Sequence, residues 1–165
     1  MSKRAFTIVE LIITITIMGV LMILAVVSIN ATQVRARDDE RKTDIEAIAT
    51  ALESYYNVGD DSASQYNRYP STALASSESS IRSYLRDINM QSVMAPGEET
   101  ISLVAATNST QTTTGISPQP TYSQYVYQPI NSAGSRCTSG ECRKYNLYYR
   151  LETDNTVYKY TSKNQ

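Results

Sequence analysis

The apolar and polar positions divide the chain into two unequal parts. Residues 11–29 run nineteen positions without a charge, and apolar character reaches back to Phe6 with Glu10 as the one formal charge between. As a helix, such a run is long enough to cross a hydrocarbon core of roughly 30 Å. It is too long for the apolar region of an ordinary secretory signal, about 7–15 residues. No small-x-small site follows it, because bulky Ile29 stands two residues before Ala31. Lys3 and Arg4 place the N-terminus on the cytoplasmic side and the rest of the chain outside.

Beyond the apolar run the helical period continues in amphipathic form. Arg35, Arg37, Arg41 and Lys42 alternate with Asp38, Asp39, Glu40, Asp44 and Glu46. The spacing predicts exposed i,i+4 pairs Arg35–Asp39, Asp38–Lys42 and Lys42–Glu46, each worth roughly 0.2–0.5 kcal/mol. Ile45, Ile48, Ala49, Leu52 and Tyr56 then form a stripe that needs a surface to pack on. Gly59 suits a C-terminal cap. From Phe6 this predicts about 50 helical residues, or about 75 Å.

Residues 57–165 read as a small outer head. Positions 60–80 are rich in Ser, Asp, Asn and Tyr and read as loop; Ile81, Tyr84, Leu85 and Ile88 predict a short helix ending before Pro96-Gly97. Residues 101–106 suit a strand, and 107–120 form a Thr/Ser/Gln/Pro tract without apolar period, read as exposed loop. Strands are expected over 122–128, 145–152 and 156–161. The middle one puts Tyr145, Leu147, Tyr149 and Leu151 on one face, and Thr153-Asp154-Asn155 makes the hairpin connection. The expectation is an α+β fold with one long helix under an antiparallel sheet of three or four strands.

The stretch Ala5-Phe6-Thr7-Ile8-Val9-Glu10-Leu11-Ile12 resembles the class III leader and N-terminal helix of the type IV pilin family, pseudopilins included. The likeness covers residues 3–56. It implies removal of a leader, residues 1–5, by a prepilin peptidase cutting between Ala5 and Phe6, and N-methylation of Phe6. Ala5 stands where the family usually has Gly. The layout implied is an assembly helix over 6–32, an amphipathic helix over 33–56 and a head domain over 57–165.

Glu10 is the residue this reading turns on. A charge at a bilayer centre costs on the order of 2.5–3.5 kcal/mol on insertion scales, so an intramembrane carboxylate usually has a task and a partner. Cleavage creates an α-amino group with a reference pKa of about 7.7–8. Pairing it with Glu10 of a neighbouring subunit removes two unpaired charges together and sets the register of a helical assembly through Phe6 and Glu10. Such a head-to-tail contact does not close and therefore builds a filament. Within the same helix the family often unwinds between a Gly and a Pro eight residues on. Gly19 matches the first, and Val27 stands in place of the second. Gly19 equally suits close helix packing.

Cys137 and Cys142 are the only cysteines, and an outer location favours a disulfide between them. Closing so short a loop is worth roughly 2 kcal/mol in the chain-entropy model. With no histidine, two thiols do not complete a tetrahedral metal shell. Catalytic readings fail for want of parts: no His base, no Gly-rich phosphate loop and no paired-carboxylate motif. No cofactor is expected. Glu152, Asp154 and Asn155 read as a polar hairpin turn rather than a calcium loop. Of the sequons at Asn30 and Asn108, only the second falls in an expected exposed loop.

Without the leader the chain has 13 Lys+Arg against 16 Asp+Glu. Residues 121–165 carry six basic and three acidic residues, together with eight of the 13 tyrosines. A tyrosine-rich sheet with solvated lysines explains this most simply; contacts between subunits come next, and capture of nucleic acid last. The function expected is that of a filament subunit made as a single-pass membrane precursor. The resemblance implies as partners the prepilin peptidase, a membrane platform protein, an assembly ATPase and further copies of the chain. The alternatives are a pseudopilin of a secretion or DNA-uptake machine and a monomeric membrane-anchored binding domain.

Overall fold

The apolar run and the amphipathic stripe lie on one helix in the computed structural model, which describes residues 7–59, 66–140 and 142–164. Helix α1 spans Ile8–Val58. The chain forms two compact units, Met1–Ala36 and Arg37–Gln165. Each follows from its own sequence pattern.

In the first unit the described side chains of residues 8–24 are exposed on every side of the helix. A helix apolar all round has no preferred face toward its own chain and is made for lipid or for a bundle. The hydroxyls in this stretch are satisfied locally: Thr14 Oγ1 donates to the Leu11 carbonyl at 2.8 Å and Thr16 Oγ1 to the Ile12 carbonyl at 2.7 Å. Helix α1 is long and apolar enough to cross a membrane.

In the second unit the stripe becomes the core. Ile45, Ile48, Ala49 and Leu52 are at most 1% exposed and Tyr56 packs beside them. They are covered by Tyr69, Leu74, Ile81 and Val93 and by Tyr125, Tyr127, Tyr145 and Leu147 of the sheet. The helix stops as Gly59 takes φ +75° and its N–H donates to the Tyr55 carbonyl at 2.7 Å, a left-handed cap that glycine adopts freely. Two short 3-10 turns, Thr72–Ser76 and Met90–Val93, flank helix α2 (Glu78–Tyr84), whose Ser77 hydroxyl accepts from the Ser80 N–H.

Four strands make one sheet in the order β1-β2-β3-β4: Leu103–Ala105, Tyr125–Ile130, Lys144–Arg150 and Val157–Thr161. The α+β architecture matches the sequence expectation. The fully antiparallel sheet does not: β1 runs parallel to β2, while β2–β3 and β3–β4 are antiparallel. The reason lies in the connection. A hairpin would reverse the chain between β1 and β2, but residues 106–124 travel back along the sheet before β2 begins.

That connection also corrects the reading of 107–120 as plain exposed loop. It has no regular structure, yet Ile116 is buried with Ala106, Val126 and Tyr148 on the sheet face opposite α1. Its backbone carbonyls are held by side chains from the sheet. Gln128 Nε2 donates to the carbonyls of Asn108 and Thr110, Arg136 to that of Ala106, Arg150 to that of Pro120, and Lys159 to that of Gln111. Inside, the Gln128 amide oxygen accepts from Asn146 and Tyr148, so a buried polar trio is fully satisfied. The strap is therefore a second layer, built from hydrogen bonds that no apolar period announces.

Gly115 makes the tightest point of the strap. A Cβ there would lie 2.5 Å from Thr110 Cγ2 and 2.8 Å from Thr112 Oγ1. Gly115→Ala should destabilise the head by roughly 1–3 kcal/mol. A thermal melt should show the drop, and hydrogen exchange should locate the loosening in 106–121; Thr110→Ser added to it should recover part of the loss. An unchanged melt for Gly115→Ala would mean the strap is not packed as described.

Candidate assembly site

The first turn of α1 holds the residue on which the sequence reading turned. Glu10 Oε2 accepts from the Thr7 backbone N–H at 3.1 Å and from the Thr7 hydroxyl at 2.9 Å. The Glu10 N–H in turn donates to Thr7 Oγ1 at 3.2 Å. This is a capping box, in which a T-x-x-E sequence satisfies helix-end donors reciprocally. Thr7 thus closes the helix entrance, a cap readable from the spacing Thr7-Ile8-Val9-Glu10. Ala5 and Phe6, the expected cleavage and methylation positions, lie outside the described residues.

Helix α1 continues unbroken through Gly19, and a Cβ added there would meet nothing within 4 Å. Nothing in its own chain therefore requires glycine at this position. It leaves a flat place on an otherwise bulky helix.

In the second unit the charges of α1 do more than the solvated pairs expected of them. Lys42 pairs with Asp39 at the surface, at 3.1 Å. Asp38, Arg41 and Asp44 are buried and Arg37 half-buried, while Glu40 and Glu46 stay exposed. Arg41 is 2% exposed and donates to Asp38 Oδ1 at 3.1 Å, to Glu152 Oε1 at 2.6 Å and to the Tyr122 carbonyl at 3.1 Å. Arg37 grips the same Glu152 with two parallel bonds of 2.8 and 2.6 Å. Asp38 accepts from the backbone N–H groups of Glu152 and Thr153 at 2.8 and 2.9 Å and from the Thr153 hydroxyl. The turn between β3 and β4 is thereby clasped to the start of the head's helix. The polar hairpin turn is what the sequence suggested at 152–155; its partners were not legible, because they lie more than 110 residues away in sequence.

Electrostatics follow from this geometry. The Arg37 hydrogen bonds hold Glu152 down to about 2 against the opposing effect of burial, with Arg41 adding to the pull. For Asp38 burial favours the neutral acid, but Thr153, the two N–H groups and Arg41 outweigh it and keep the carboxyl below its ordinary range. Asp44 behaves in the opposite way. Burial and nearby Glu40 push it up to about 6, against the hydrogen bond from Tyr125, the charge of Arg41 and a bond from Ser92. Tyr125 donates to it at 2.8 Å.

Cys137 and Cys142 are joined to each other in a disulfide, both buried. Their carbonyls receive the N–H groups of Thr72 and Tyr69, so the staple anchors the segment entering the first 3-10 turn. The Asn108 side chain donates to the Gly115 carbonyl at 2.7 Å and accepts from the Ser117 N–H at 3.1 Å, which ties the two ends of the strap's turn together. Among the described residues no group of three or more His, Cys, Asp or Glu is placed to hold a metal ion.

Residues 1–26 match the family model described as the prokaryotic N-terminal methylation motif. A stretch of 58 residues, 35% of this chain, is 34% identical to the type IV major pilin protein PilA of Myxococcus xanthus (strain DK1622), and covers 26% of that protein. No solved structure matches the chain. The long helix under a small sheet is consistent with a type IV pilin fold.

The clasp predicts a pH profile with two sides. Glu152 has a lowered pKa, so its contribution is present above the unfolded value near 4.5 and is lost as pH falls toward 2. Asp44 has a raised pKa, so its contribution is present below the unfolded value near 3.8 and is lost as pH rises through about 6. As far as these two groups decide it, the head should be most stable near pH 4, between the two unfolded values. Asp44→Asn should flatten the decline on the neutral side, and Glu152→Gln should cost roughly 3–5 kcal/mol at neutral pH by leaving Arg41 short of a partner. Denaturant titrations of the full chain in detergent between pH 2.5 and 8 would show both effects; a wild-type decline between pH 4 and 7 that persists in Asp44→Asn would remove Asp44 as its cause.

Proposed function

We propose that the chain is a structural subunit of a type IV pilus-like surface filament. It is made as a single-pass membrane precursor with a cytoplasmic N-terminus, cut between Ala5 and Phe6 by a prepilin peptidase, and methylated on Phe6. It then assembles with further copies through its apolar helix, served by a platform protein and an ATPase. The observation that carries this reading is a coincidence in one segment. The methylation motif of residues 1–26 coincides with the start of a helix whose side chains at residues 8–24 are exposed on every side and bury no face against their own chain. A monomeric binding domain needs a membrane anchor but has no use for the Phe-Thr-x-x-Glu entry to it.

Glu10 serves two tasks in this proposal. In the single subunit its carboxylate caps its own helix through Thr7. In the fibre it meets the new amino group of a neighbour, and the cation there is left uncompensated if the carboxylate is removed. The two tasks separate by mutation. Thr7→Val deletes the side-chain half of the capping box at a cost of roughly 1 kcal/mol and leaves the charge in place, so fibres should persist. Glu10→Leu should insert normally and keep a folded head, while fibre growth stops and subunits accumulate in the membrane. Electron microscopy of sheared surface fibres, with mass spectrometry of their N-terminus, should find fibres beginning at methylated Phe6. An intact Met1 terminus in fibres would refute the processing, and normal fibre numbers from Glu10→Leu would refute the pairing.

A further inference from the structure

The exposed charges of helix α1 form a row that their own chain leaves unused. Arg35, Asp39, Lys42 and Glu46 follow one another at spacings of four, three and four residues, which sets them on one face of the helix. All four are exposed, and along the row base and acid alternate. The intrahelical pairs expected from the four-residue spacing, Arg35–Asp39 and Lys42–Glu46, do not form. Asp39 meets Lys42 instead, at 3.1 Å, with the two side chains 76% and 47% exposed. Among the described residues neither Arg35 nor Glu46 has an ion-pair partner.

The proposed pairing of Glu10 with a neighbour's new amino group has the same four-residue spacing. It sets Glu10 of one copy level with Phe6 of the next, a step of four residues or about 6 Å of helix. Equivalent copies in an open fibre are related by one repeated step, so every acid that follows a base by four residues is offered to that base in the next copy. Asp39 comes level with Arg35 of the next copy, and Glu46 with its Lys42. Lys42 comes level with buried Asp38, so no like charges of the row meet. A step of seven residues would instead set Lys42 against Arg35 and Glu46 against Asp39, base to base and acid to acid.

We infer that neighbouring copies in the fibre are stepped by four residues along α1, with Asp39 of one copy paired to Arg35 of the next and Glu46 paired to Lys42. This rests on the filament reading and on the Glu10 contact within it. The occupant of the charged face is a second copy because the signs alternate at the spacing that the Glu10 contact imposes. Each exposed pair is weak alone, worth at most about fivefold in an equilibrium. It forms once the apolar helices have gathered the copies, so it adds to a contact already held. Its task is register. Apolar helices pack almost as well one turn up or down, whereas a row of alternating charges matches at some steps and repels at others.

The test uses the full chain in fibres, where both native cysteines are oxidised to each other and leave no competing thiol. Cells making Lys42→Cys and Glu46→Cys subunits together should yield fibres in which a short bis-maleimide joins one of each. Arg35→Cys made with Asp39→Cys should do the same. Lys42→Cys with Arg35→Cys, level only at a step of seven, should cross-link far less, and preferred cross-linking there overturns the step of four. Arg35→Ala and Asp39→Ala should each lower fibre yield by about fivefold, and the double variant no further, while thermal melts in detergent stay at the wild-type value. A double variant that loses the product of the two single losses overturns the pairing. Fibres that form normally yet give no link at either predicted pair overturn the step and leave the filament reading standing. Wild-type protein that makes no fibres overturns both.

Discussion

A fully buried guanidinium has few ways to exist in a folded protein, and the head is organised around satisfying one. Arg41 is enclosed by Asp38 from its own helix, by Glu152 from the turn between β3 and β4, and by the Tyr122 carbonyl from the entry to β2. Desolvating it is costly, so the arrangement tolerates little sliding of the turn along the helix. With the turn fixed by Asp38 and Arg41, β3 and β4 leave it in a set register. Tyr145 and Leu147 then fall on the stripe of Ile45, Ile48 and Leu52. The hydrophobic effect supplies most of the stabilisation, and the clasp decides which register receives it.

In the first unit the constraint is the reverse, an absence of internal partners. The described residues from Ile8 to Leu24 bury no face against their own chain, and the hydroxyls of Thr14 and Thr16 are satisfied by the helix itself. Such a segment is indifferent to its rotation about its own axis, which suits a lipid bilayer and also a bundle of identical helices. The one charged side chain among these described residues is Glu10, whose bonds to Thr7 hold it at the helix entrance.

What the sequence made legible follows physical range. The apolar run, the stripe at 45–56, the glycine cap and three of the strands rest on local periodicity, and each appears within a few residues of its expected place. The parallel sense of β1 escaped because it depends on how the chain returns over 106–124, and nothing in a three-residue strand records the direction of its neighbour. The strap escaped for a related reason. Its anchors Gln128, Arg150 and Lys159 in strands and Arg136 in the β2–β3 connection are polar residues, which read as solvent-facing. The clasp escaped because i,i+3 and i,i+4 spacing offers a local explanation for every charge, and that explanation conceals a partner far along the chain. At the N-terminus the capping box is local, and the spacing of Thr7 and Glu10 suffices to read it.

The head's helix is also more than a surface for apolar packing, as its acidic residues show. Asp38 receives the β3–β4 turn, Asp44 receives the Tyr125 hydroxyl from β2, and Glu53 accepts from Tyr69, Tyr145, the Lys163 N–H and the Asn164 amide. Asp38 and Glu53 are separated by about 22 Å of helix at 1.5 Å per residue. One holds the turn that begins β4 and the other the residues that end it. Tyrosine suits this role because a buried ring supplies apolar area while its hydroxyl reaches a carboxylate at the margin of the core. Tyr125 and Tyr145 thus owe their place in the sheet to the helix opposite.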